Sequence, residues 1–252
     1  MDRHFRLAEE SVRDQSRNGS ISSSKLLKTE NPIYILRKIN IFYSKKKILQ
    51  NLDVVINPGD FIFITGATGV GKTTLLNFFN GDISSYDGEF QTSIKGMLNH
   101  NRPPLFISRV FQDLKIFEEL TVLQNLEFCY DSSIHQNKEK FYLELDQYAS
   151  YLEIKNFLNY PISKISGGIK QKMAIIRAVI SHPDILLADE PTSNLDRNSA
   201  TKFFEICNYL NTKKKTTIVW ATHNIELIKN FHGKLIHLES GKITYSGNVC
   251  FT

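Results

Sequence analysis

Cysteine is scarce in this 252-residue chain, and its three copies, Cys129, Cys207 and Cys250, lie far apart and outside any C-x-x-C spacing. That excludes a disulfide framework and a zinc ribbon, and it suits a reducing compartment. No apolar run approaches the roughly 18–20 residues that a membrane span requires, so the chain is not expected to cross a bilayer. The first thirty residues lack the apolar stretch of about 7–15 residues that a secretory signal needs. They carry Asp2, Glu9, Glu10 and Asp14, against the acid-poor pattern of a transit peptide. Polar and Ser-rich (Ser20, Ser22, Ser23, Ser24), residues 1–31 read as a disordered tail.

Hydrophobic residues make up 41% and charged residues 23% of the chain, enough for a sizeable core and unlike a disordered or fibrous protein. The net charge of +5 is unevenly spread. Residues 31–111 hold 9 Lys/Arg against 5 Asp/Glu, residues 112–160 hold 4 against 9, and residues 161–252 hold 12 against 7. An acidic block therefore separates two basic ones, which fits basic parts that hold an anionic ligand and an acidic part that faces something else, and equally fits an unpatterned solvated surface.

The ordered part reads as residues 32–252. Strands are expected over 33–43 and 47–56, around the basic turn Lys45-Lys46-Lys47. The run Phe61–Thr65 is short, apolar and β-branched, as in a buried strand. A Gly-rich loop follows, then a helix through Leu75, Leu76, Phe78 and Phe79 that Gly81 stops. Phe141, Leu145, Tyr148 and Leu152 fall on one helical face and make the acidic segment helical, apart from the sheet. Ile185–Ala188 and Thr217–Ala221 read as buried strands with a helix between them through Ala200, Phe203, Phe204, Cys207 and Leu210. Lys234–Leu238 and Lys242–Tyr245 read as a closing hairpin around Ser240-Gly241. Alternating strand and helix argue for a mostly parallel sheet covered by helices.

Gly66-Ala67-Thr68-Gly69-Val70-Gly71-Lys72-Thr73, with Thr74 beyond it, fits the phosphate-binding loop G-x-x-x-x-G-K-[ST]. Glycines let successive N–H groups turn inward toward phosphates, and the following helix adds its positive end. Lys72 is placed to reach the β- and γ-phosphates, and the Thr73 hydroxyl to ligate Mg²⁺. Kinases, GTPases and transport ATPases share this loop, so it does not name the reaction. The strand Ile185–Ala188 runs into Asp189-Glu190: Asp189 is expected to hold Mg²⁺, and Glu190 to polarise the attacking water as general base. Ser166-Gly167-Gly168 before a helix reads equally as a second anion site or as an N-capped turn.

Six separated motifs in this order resemble the ATP-binding cassette (ABC) family: the phosphate loop, Gln112, Ser166–Gly168, Asp189-Glu190, Ser193–Asp196 and His223. The resemblance covers about residues 32–245. It implies an α/β fold, a P-loop NTPase with a RecA-like core, an N-terminal antiparallel β-subdomain and an inserted helical subdomain at about 113–165. It implies an ATPase using ATP and Mg²⁺. In the family's pattern Tyr43 stacks on adenine and Gln112 senses Mg²⁺ and the attacking water. Ser166, Gly167 and Gly168 bind the γ-phosphate of ATP held by a second copy. Asp196 ends a loop linking two sites across a dimer, and His223 contacts the γ-phosphate. The signature departs from the usual form at Ile169, where Gln or Glu is commoner, and at Lys172, where Arg is; both bear on turnover more than on ATP binding.

Within the family the cell-division branch, FtsE, is the most similar, on Phe111-Gln112-Asp113, Asn125–Phe128, Leu187–Asp196 and Ala221–Asn224. The lipoprotein-release and macrolide-export branches are close. The resemblance implies a homodimer on the cytoplasmic face of the plasma membrane, paired with a separate FtsX-like membrane subunit. A nucleic-acid role is not expected. Only 92 residues, 74–165, separate phosphate loop and signature, without the sustained heptads of chromosome-type members, and there is one cassette where translation-type members have two.

Overall fold

The computed structural model describes residues 31–43, 45–93, 105–224, 228 and 233–249. Residues 1–30 and Cys250, on which part of the reading above falls, lie outside them.

Two sheets form the body. β1 (Tyr34–Tyr43) and β2 (Lys46–Ile56) pair as an antiparallel hairpin; of the three lysines expected to turn, Lys46 and Lys47 belong to β2, paired with Tyr43 and Phe42, so the turn is tighter than expected. β3 (Phe61–Thr65) begins the second sheet, and α1 (Lys72–Asn80) follows the phosphate loop. Gly81 caps α1 in the left-handed region, with φ of 82° and its N–H bonded to Asn77 and Phe78 carbonyls. β4 (Tyr86–Thr92) then returns to β1, giving the antiparallel order β2-β1-β4.

β5 (Ile107–Val110) leads into the helical segment: α2 (Val122–Glu127), α3 (Ser132–His135) and α4 (Lys138–Tyr151). Short 3₁₀ turns at Lys155–Phe157 and Ile162–Lys164 precede α5 (Gly167–Ile180). Thr121 opens α2 with a capping box: its side chain accepts from Gln124 N, and the Gln124 side chain accepts from Thr121 N. Phe141, Leu145, Tyr148 and Leu152 are buried together, as their spacing predicts.

The chain then lays down β6 (Ile185–Asp189), α6 (Arg197–Tyr209) with a π turn at Leu210–Lys214, β7 (Thr217–Ala221), β8 (Gly233–Glu239) and β9 (Lys242–Val249). The six strands run β5-β6-β7-β3-β8-β9, parallel except for the final antiparallel hairpin. β3, β6 and β7 are buried at every residue, because both faces of this sheet are covered. Period two sorts their side chains. Ile62, Ile64, Ile185, Leu187, Val219 and Ala221 join one core with α1 and the small sheet. Phe63 and Trp220 face the other way, and Trp220 stacks on Phe204 of α6 at 4.1 Å between ring centroids. Among the described residues no helix is long and apolar enough to cross a membrane.

Candidate functional site

β5, β6, β7 and β3 are consecutive in one parallel sheet, so the segments leaving their carboxyl ends emerge along one edge, where α/β sheets bind ligands. Those segments are Gln112, Asp189-Glu190, Thr222-His223 and the phosphate loop. They meet in a cleft of about 270 Å³ lined by Thr68, Gly69, Gly71, Lys72, Thr73, Thr74, Gln112, Asp189, Glu190, Ser193 and His223.

The loop closes tightly. Gly66 has φ of +144°, and a Cβ there would lie 2.4 Å from the Leu238 carbonyl oxygen, so only glycine fits between β3 and β8. Lys72 is the first residue of α1 and is buried, its Nζ donating to the carbonyls of Gly66 at 2.9 Å and Ala67 at 3.2 Å. The same Nζ lies 3.6 Å from Glu190 Oε1.

Glu190 stands in the left-handed region, with φ of 46°, and its N–H is tied to the Ala221 carbonyl at 2.9 Å. His223 Nδ1 lies 2.8 Å from Glu190 Oε1. A carboxylate only accepts, so Nδ1 carries the proton of that bond. Lysine, carboxylate and imidazole thus form one chain of polar contacts at the mouth of the cleft.

Asp189 ends β6 and is almost wholly buried. Burial pushes its carboxyl above the usual carboxylate range, opposed by the Thr73 hydroxyl and the Arg109 guanidinium. Its Oδ1 is buried without a hydrogen-bond partner. An orphaned carboxylate oxygen beside a threonine hydroxyl and Gln112 is a donor set of hard oxygens, which fits Mg²⁺. Arg109, on β5, pairs with Asp189 at 3.5 Å. No spacing in the sequence marks it, since its partners Asn77, Asp82 and Asp189 lie on distant segments.

The structure does not bring every expected residue to this cleft. Tyr43, at the end of β1, is 69% exposed and outside the lining. Ser166 caps α5, accepting from Ile169 N at 3.4 Å, and Ser166 and Gly167 are exposed. Gly168 abuts the loop after Glu190, its Cβ direction 3.2 Å from Asn194 O, and Gln171 Nε2 donates to Pro191 O at 2.7 Å. Asp196 caps α6, accepting from Ser199 N at 2.9 Å and Ser199 Oγ at 2.8 Å, which holds its carboxyl below the usual range. None of these residues lines the cleft, and Gly168 and Gln171 join the signature helix to the loop that leaves Glu190.

His135, Glu144 and His182 form another cluster of metal-binding types. Its groups are already engaged: His135 Nε2 lies 2.8 Å from Ile180 O, and His182 Nε2 lies 2.7 Å from Glu144 Oε1. It reads as a tie between α3, α4 and the end of α5.

Residues 49–193 match the family model described as ABC transporter. The chain is 34% identical over 222 residues to the phosphonates import ATP-binding protein PhnC of Fusobacterium nucleatum, covering 81% of this chain and 87% of that protein. It is 29% identical to the cell division ATP-binding protein FtsE of Bacillus subtilis, covering 78% and 88%. To the methionine import ATP-binding protein MetN of Lactobacillus johnsonii it is 30% identical over 85% of its length, spanning 64% of that longer protein. Among solved structures, an ATP-binding cassette captured as a dimer in a post-hydrolysis state with ADP and Pi superposes with a TM-score of 0.71 at 27% identity, covering 85% of this chain and 97% of that one.

Proposed function

Because this chain belongs to the ABC transporter family, as an ATPase that uses ATP and Mg²⁺, we propose that two copies work together as the motor under a separate membrane subunit of FtsX-like type. One observation carries the reading of the site: four loops of distant sequence origin converge on one cleft, with Lys72, Thr73, Gln112, Asp189, Glu190 and His223 facing it.

In this proposal Lys72 and the loop N–H groups bind the phosphates, and Thr73, Gln112 and Asp189 hold Mg²⁺. Held there, Mg²⁺ would supply positive charge against the phosphate oxygens. Glu190 takes the proton of the attacking water. His223, donating through Nδ1 to Glu190, orients that carboxylate and reaches the terminal phosphate. Ser166, Gly167 and Gly168 act on the nucleotide of the partner copy, and Asp196 couples the two sites. Their exposure beside the cleft, together with the tie from Gln171 to Pro191, supports a shared interface. Tyr43 supports adenine from the exposed end of β1. Residues 113–165 form the helical subdomain of the cassette, which sits peripherally on the inner face of the plasma membrane.

The cell-division assignment rests on the motifs Phe111-Gln112-Asp113 and Leu187–Asp196 and on the similarity to FtsE. A second reading, uptake of a small anionic nutrient, is favoured by the 34% identity to PhnC. Affinity purification of the chain from detergent-solubilised membranes of its own cells separates them. Recovery of an FtsX-like subunit supports the first; recovery of an import permease overturns it in favour of the second.

A further inference from the structure

The side chain meant to hold the metal already has a cation beside it. Arg109 is only 6% exposed, and its Nη2 lies 3.5 Å from Oδ2 of Asp189, itself 1% exposed. Its other nitrogen, Nη1, donates to Asn77 Oδ1 at 2.5 Å and lies 3.5 Å from Asp82 Oδ2, a half-exposed carboxylate just past α1. Phe111, just past the end of β5, covers the guanidinium face at 4.7 Å. The Nε is buried without a hydrogen-bond partner. So the guanidinium is wedged between two acids, and among the described residues only Asn77 holds it at short hydrogen-bond distance.

We infer that Arg109 is a positioning residue that competes with Mg²⁺ for Asp189, and that Asp82 sets how strongly it competes. A carboxylate in a low-dielectric site interacts strongly with whichever cation is nearest, and a resident guanidinium lowers the gain from bringing in a second one. Asp82 draws the guanidinium the other way and so frees Asp189 for the metal. Among the described residues the polar contacts of Asp82 are with Asn77, Asn80 and Arg109, none of which lines the cleft, so its effect reaches the metal through Arg109. The inference rests on the nucleotide-binding reading of the cleft.

The test is the free Mg²⁺ concentration at which a fluorescent ATP analogue reaches half its Mg²⁺-dependent gain in affinity for the full chain. Mn²⁺ binding followed by electron paramagnetic resonance gives a second readout without turnover. Arg109→Met should lower the half-saturating metal concentration about tenfold, as expected for removing a close, poorly screened like charge. Asp82→Asn should raise it about threefold, because the guanidinium then belongs to Asp189 alone. Opposite shifts from the two variants support the inference. A folded Arg109→Met with lowered melting temperature and an unmoved metal midpoint would mean that the arginine is merely structural. If Arg109→Met does not fold, Asp82→Asn decides, and an unmoved midpoint there overturns the inference. Failure of the unaltered chain to bind the analogue at any Mg²⁺ concentration overturns the reading of the cleft as well.

Discussion

Glu190 shows how backbone and chemistry meet at a single residue. A left-handed φ at a non-glycine costs on the order of 1–2 kcal/mol, and it persists here because the Ala221 carbonyl and the Lys72 and His223 side chains hold both ends of the residue. In the proposal His223 acts chiefly by orienting Glu190. His223→Ala should therefore lower ATP turnover about 10²–10³-fold while leaving ATP affinity within a few-fold, as for loss of a group that orients a general base. Steady-state turnover beside equilibrium binding checks this; an equal loss in both would reassign His223 to binding. At this scale the sequence was readable where chemistry is local. Lys72 and Thr73 sit inside a fixed spacing, and Asp189-Glu190 end an apolar strand. Arg109 was not readable, because its meaning comes from Asn77, Asp82 and Asp189, which only the fold brings to it.

Elements were legible in proportion to how fully they are buried. β3, β6 and β7 are short runs of large apolar residues because the sheet is covered on both faces, and such runs stand out in any sequence. β4 gave no signal: Tyr86–Thr92 is mostly exposed and polar, and it is a strand only because β1 offers it an edge. The start of the helical segment depends on a local device. Thr121→Ala removes the acceptor for Gln124 N and should destabilise the chain by about 1 kcal/mol, the usual cost of losing such a cap. Chemical denaturation measures it. An unchanged midpoint would mean that α2 is held by its packing alone, with Val122 and Leu126 in the core and the Asn125 side chain bonded to the Phe117 and Thr121 carbonyls.

Across the molecule, charge separates the helical insertion from the segments on either side of it. The phosphate loop, the signature and His223 lie in the two basic blocks, while the acidic block begins at Gln112 and runs through α2 and α4. In the proposed assembly the acidic surface meets the membrane subunit. Glu119→Lys with Glu139→Lys should weaken co-purification of that subunit about tenfold at low salt and leave ATP affinity within twofold. Loss of ATP binding instead would remove this division of labour. The sequence order of motifs was enough to foresee the P-loop core, the antiparallel subdomain and the helical insertion. The second copy came only from the resemblance: within one chain Ser166 and Asp196 serve as helix caps, and the proposed roles of Ser166, Gly167 and Asp196 lie across an interface.

That interface is the central claim, and molecular mass with bound-nucleotide stoichiometry tests it most directly. Light scattering on purified Glu190→Gln with ATP and Mg²⁺ should give a dimer holding two ATP, with turnover reduced at least a hundredfold. Adding Ser166→Arg should return the chain to a monomer that still binds one ATP. A Glu190→Gln chain that stays monomeric with ATP bound, or that hydrolyses ATP at the unaltered rate, would contradict the account.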